Sequence, residues 1–116
     1  MERREHPRRR VRYHSSFSAV TMVAGEGVVQ QISLKGCRVA SATSVQPGTE
    51  LELRIAVPGE VPALKVELAV IRWAREREFG LSFVGLRPEE QERLARLLSE
   101  FDLYQQEHST EEREDA

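Results

Sequence analysis

Apolar and polar positions alternate through most of this chain, and the alternation sets the reading. Leu51, Leu53, Ile55 and Val57 interleave with Glu50, Glu52 and Arg54, the period of a strand with one buried face and one wet face. Leu64, Val66, Leu68 and Val70 repeat this against Lys65 and Glu67, and Trp73 closes the segment. Phe79, Leu81 and Phe83 point one way along the last such stretch. Upstream, Phe17, Ala19, Thr21 and Val23 predict a strand over 16–23, and two more are expected over 28–32 and 37–42. Turn chemistry separates them: Gly25-Glu26-Gly27, Gln46-Pro47-Gly48-Thr49, Pro58 to Pro62, and the charged loop 75–78. Six short strands at this spacing predict an all-β fold, a six-stranded antiparallel β-barrel, because closure removes exposed edges.

At Pro88 the period changes to that of a helix. Proline at the first helical position with Glu89 and Glu90 behind it is a strong start signal. Leu94, Leu97, Leu98, Phe101 and Tyr104 then share one stripe. That stripe predicts a C-terminal helix laid on the barrel or covering one end; a partner-binding face is the other reading. Residues 106–116 are acidic and poor in large apolar side chains, which predicts disorder. The expected division is a basic arm over 1–14, a barrel with its helix over 15–105, and the tail.

Composition adds bounds. At 116 residues, 40% hydrophobic and 31% charged, the chain has material for one modest core. No apolar run reaches the roughly 18–20 residues of a membrane span, so a cytoplasmic location is expected. Cys37 is the only cysteine, which excludes an internal disulfide and a thiolate metal cluster. Charge is segregated. Residues 1–12 hold six arginines against two glutamates, a formal +4, while the rest carries eleven basic and seventeen acidic side chains, a formal −6. Arginine rather than lysine supplies planar forks that match phosphate and the O6/N7 edge of guanine.

The arm reads Arg3-Arg4-x-x-x-Arg8, and some twenty residues later comes Gln31-Ile32-Ser33-Leu34-Lys35-Gly36 leading into a strand. These stretches resemble the RxxxR and [D/N]xSxxG signatures of the PilZ domain, the bacterial receptor module for cyclic di-GMP. The order of later landmarks is similar too: Val70 to Trp73, Phe79 to Phe83, then a closing helix. The resemblance covers residues 3–104 and implies a PilZ-like barrel that binds cyclic di-GMP through Arg3, Arg4, Arg8, Gln31, Ser33 and Gly36. It implies arginine forks on phosphate and guanine, Ser33 holding the ligand from the barrel surface, and Gly36 clearing its approach. Arg9, Arg10 and Arg12 fall outside the matched positions and read as solvated or steering charges. Gln31 stands where the family carries Asp or Asn, and Trp73 reads as core or rim in preference to a stacking platform.

The bland readings remain open. An arginine run is also what a solvated tail looks like, and a degenerate family member would bind protein alone. A small nucleic-acid-binding barrel using the arm is a third reading, disfavoured by the acidic body. No enzyme is expected: His6, His14 and His108 lie in or beside the arm and in the tail, without a fixed third partner for catalysis or for metal. The expectation is therefore a receptor or adaptor with no cofactor and no metal. Its arm changes conformation on binding cyclic di-GMP and signals to an unidentified protein partner.

Overall fold

A computed structural model describes the backbone of residues 7–19 and 22–115 and the side chains of 7–19 and 24–101. Six strands and a helix follow one another: β1 (Arg9–Ala19), β2 (Met22–Ile32), β3 (Gly36–Ala40), β4 (Glu50–Ile55), β5 (Leu64–Arg75), β6 (Glu78–Gly85) and α1 (Pro88–Asp115). All pairings are antiparallel, and the strand order β1-β2-β3-β6-β5-β4 closes through β4 on β1. The six-stranded barrel and the C-terminal helix expected from the alternation are both present.

Alternation built the interior as well. Leu51, Leu53 and Ile55 of β4, Leu64 and Val66 of β5, and Phe79 and Leu81 of β6 are buried, as are Val29 and Ile32 of β2. Phe17 meets Phe79 edge to face, with centroids 5.3 Å apart, the arrangement that ring quadrupoles favour. The helix stripe packs on this core: Leu94, Leu97 and Leu98 are buried and Phe101 is partly buried; the Tyr104 side chain lies outside the described residues.

Three expectations need correction. The first strand begins at Arg9, so residues 9–14 of the expected basic arm are barrel wall, with Arg9 opposite Ile32 and Arg10 opposite Gln31. Gly25-Glu26-Gly27 is not a turn but lies inside β2, facing Phe17 to Ser15. Gly25 is glycine for room: a Cβ there would stand 2.6 Å from the Phe17 ring and 2.8 Å from Thr43 Oγ1. The helix also continues through Asp115, where disorder was expected. After Pro88 the sequence holds neither proline nor glycine, so nothing in it stops the helix.

Arg93 ties α1 to the loop before β5. Its guanidinium reaches Glu60 at 3.1 Å, Glu90 at 3.2 Å and the Pro62 carbonyl at 2.7 Å. Most of the Arg93 side chain is covered, so removing it takes a shared cationic donor from two carboxylates and a carbonyl. Arg93→Ala should cost about 2 kcal/mol of unfolding free energy, read as a lower urea midpoint at unchanged slope. A loss under about 0.5 kcal/mol would mean that the leucine stripe alone holds the helix. Among the described residues, no helix is long and apolar enough to cross a membrane.

Candidate functional site

A cleft of about 290 Å³ opens on the outer wall where β2, β3, β5 and β6 run side by side. The register explains what lines it. Residues directly opposite in antiparallel strands share a face, and one outward row crosses five strands: Arg10, Gln31, Arg38, Gly80 and Trp73. Irregular pairing marks this row. Register shifts fall between Arg10 and Tyr13, between Val29 and Gln31, and between Ile71 and Trp73. Such bulges re-aim side chains locally. In β5 the shift leaves Arg72 and Trp73 both exposed next to buried Ile71.

Of the six positions expected from sequence, Arg8, Gln31, Ser33 and Gly36 come together on this cleft; Arg3 and Arg4 lie outside the described residues. Arg8 is exposed and immediately precedes β1, so the paired strand fixes where its backbone enters the site. Ser33 is buried and shapes the connection from β2 to β3. Its N–H donates to the Gly36 carbonyl at 2.9 Å, and its Oγ accepts the Lys35 N–H at 3.1 Å. Serine is apt there because a short hydroxyl can stand in for a backbone partner.

Gly36 has a reason different from the one expected. A Cβ at this position would collide with the Leu81 carbonyl oxygen of β6. Glycine here lets β3 and β6 backbones approach; clearance for a ligand is not what the local geometry demands. Cys37 follows it, and burial pushes its thiol pKa up, leaving an inert, protonated side chain.

Sequence reasoning missed Lys35, Arg38, Arg72, Trp73 and Ser82, which also line the cleft. Trp73 lies over Gly80, where any Cβ would collide with its indole Nε1. The Arg75 guanidinium carbon sits 5.3 Å from the ring centroid, within cation–π range. Arg72 Nε donates to Ser82 Oγ at 3.0 Å, which holds that guanidinium against β6. One signal was available: the alternation of β5 breaks at Ile71-Arg72-Trp73, as a bulge would make it do.

The cleft's charge is one-sided. Arg8, Lys35, Arg38 and Arg72 line it, and none of the described lining residues is acidic. Chemically it is a site for an anion with flat, hydrogen-bonding surfaces: forks for oxyanions, an indole face and an amide.

A small antiparallel barrel with a basic cleft on its outer wall defines the class. The PilZ domain model matches residues 2–100, and the chain belongs to the PilZ domain family. No curated protein matches it by sequence. Among solved structures, the Bacillus subtilis inhibitor of motility MotI/DgrA is 22% identical with a TM-score of 0.73, covering 90% of this chain and 53% of its own. Escherichia coli YcgR in complex with c-di-GMP is 16% identical with a TM-score of 0.73, covering 95% and 50%. The chain thus spans about half the length of these two proteins. The PilZ domain of YcgR alone, with c-di-GMP, is 14% identical with a TM-score of 0.73 and covers 94% and 98%. At these identities the likeness is one of fold.

Proposed function

We propose that this chain is a cyclic di-GMP receptor that works by binding rather than catalysis, inside the bacterial cell. The observation that carries the reading is the cleft: among its described lining residues are four cationic side chains and no acidic one, with Arg8, Gln31, Ser33 and Gly36 together. Two phosphates and two guanines offer what arginine forks recognise. Arg8 takes phosphate oxygens or a guanine edge, joined by Arg4 and Arg3 from the arm. Ser33 keeps the β2–β3 connection in the shape that presents Gln31. Trp73 offers a stacking face. Relatives of the same fold solved with c-di-GMP support the ligand class.

Holding the arm against the barrel around a ligand costs on the order of 1–2 kcal/mol for each residue so fixed, which the ligand's contacts offset. Binding therefore converts a basic arm into a neutralised surface beside the barrel, and a protein partner that prefers one of the two states senses the ligand.

Calorimetric titration of the full chain with cyclic di-GMP, beside GMP and a short oligonucleotide, tests this. Saturable heat is expected for cyclic di-GMP alone at about 0.15 M salt, because a compact dianion releases far fewer counterions than a polyanion. No heat up to about a millimolar would remove the receptor reading. Gln31 supplies a second measurement. A carboxylate accepts two N–H bonds from a guanine where one amide oxygen accepts fewer, so Gln31→Asp should tighten binding by about 1–2 kcal/mol. Weaker binding instead would show that position 31 faces a phosphate.

A further inference from the structure

We infer, on the proposed cyclic di-GMP reading, that Arg38 is a base-reading residue: its guanidinium takes the O6/N7 edge of the guanine whose other edge meets Gln31. Neither sequence signature includes Arg38. It lines the cleft, and the register places it opposite Gln31 on one side and Gly80 on the other. Gly80 contributes no side chain, and the Trp73 indole occupies that space. Arg38 is thus bracketed by an amide and an indole on a single row.

Its hydrogen bonding is incomplete. Arg38 Nε is sealed from solvent and makes no hydrogen bond. The carboxylate of Glu78 stands 3.6 Å from it, close enough to attract but too far to bond. A buried donor without an acceptor is unfavourable, and with Nε sealed it is the exposed remainder of the side chain that meets a ligand in the cleft. The side chain is still about a third exposed, at 38%, which leaves its fork accessible from the cleft.

The purine fits the pair. Watson–Crick and O6/N7 edges are adjacent on guanine, and Cα atoms directly opposite across an antiparallel pair are about 5 Å apart. One base lying edge-on to the row therefore meets Gln31 with one edge and Arg38 with the next. Two acceptors converge on the second edge, and arginine is the side chain that addresses both at once.

A cycle between side chain and ligand atom tests this. Cyclic di-GMP and its 7-deazaguanine analogue, which replaces N7 by C–H, are titrated into the wild-type chain, Arg38→Ala and Arg38→Lys. The wild type should lose about tenfold on removal of N7, while Arg38→Ala binds cyclic di-GMP at least about tenfold more weakly and no longer distinguishes the two ligands. Arg38→Lys keeps the charge without the fork, so it should bind between the two and discriminate little. Thermal melts of both variants report whether the barrel is intact. Equal discrimination against the analogue in wild type and Arg38→Ala overturns the assignment, as does unchanged affinity in Arg38→Ala. Wild type and Arg38→Ala that bind cyclic di-GMP equally well remove Arg38 alone and leave the receptor reading standing. Wild type that binds neither ligand removes the receptor reading and this inference together.

Discussion

Gly36→Ala is expected to destabilise the barrel by about 3 kcal/mol or more, lowering the thermal midpoint by on the order of 10 °C or more. The reason is backbone on both sides. An added Cβ meets the Leu81 carbonyl oxygen, and Leu81 cannot yield easily because its side chain is buried in the core and its neighbours pair with β3. Gly36 cannot yield either, since its own carbonyl accepts the Ser33 N–H and faces the Ser33 hydroxyl at 3.4 Å. A methyl group that collides with a flexible side-chain tip finds room; one that collides with a carbonyl in a closed sheet does not. Thermal and urea unfolding of Gly36→Ala measure this, with cyclic di-GMP titration alongside. A variant as stable as wild type that has lost only ligand binding would show that the glycine serves the ligand. Loss of stability shows that it serves the wall on which the cleft is built.

That ambiguity is instructive about what a sequence carries. The strands β4 and β6 were legible because each has a wet face and a dry face, so the alternation is visible residue by residue; β5 was legible only through Val66, because the irregularity at Leu68/Ala69 turns Ala69 and Ile71 inward in place of the expected Leu68 and Val70. The first half of β1 was not. Arg9, Arg10 and Arg12 read as an arm, and only Val11 and Tyr13 carry the inward pattern there. Gly25 and Gly27 failed for a related reason: a glycine that makes a turn and a glycine that makes room for a distant Phe17 ring look alike along the chain. Contacts between strands are what tell them apart.

The site divides along the same line. Arg8, Gln31, Ser33 and Gly36 were legible as local spacings that resemble a family's signatures. Arg38, Arg72 and Trp73 were not, because what makes them neighbours is register: Gln31 opposite Arg38, Arg38 opposite Gly80, Gly80 opposite Trp73. Register is set by bulges and by which face must be buried, and no local window contains both strands. Arg10 shows the converse. Spacing put it outside the motif, yet pairing sets it beside Gln31.

Arg4→Ala and Arg8→Ala should each weaken cyclic di-GMP binding by about 1–3 kcal/mol, the worth of a charge-assisted bond or two. The double variant should lose about a hundredfold or more in affinity. Arg8 is the cleaner case. It lines the cleft, is exposed, and precedes the first paired residue of β1, so its loss should leave stability within about 0.5 kcal/mol. Affinity and folding are therefore separable at this position, which they are not at Gly36. The double variant adds a test of arrangement. If the two arginines hold different groups of the ligand, their losses add; if they grip one phosphate together, the second loss is smaller than the first. Arg12→Ala is the control, since Arg12 is exposed and does not line the cleft; any effect there would be a steering effect that salt abolishes. Calorimetry at fixed ionic strength distinguishes these cases. Should Arg8→Ala and the double variant both bind like wild type, the arm has no part in the site, and the ligand must be held by the barrel wall alone, through Lys35, Arg38 and Arg72.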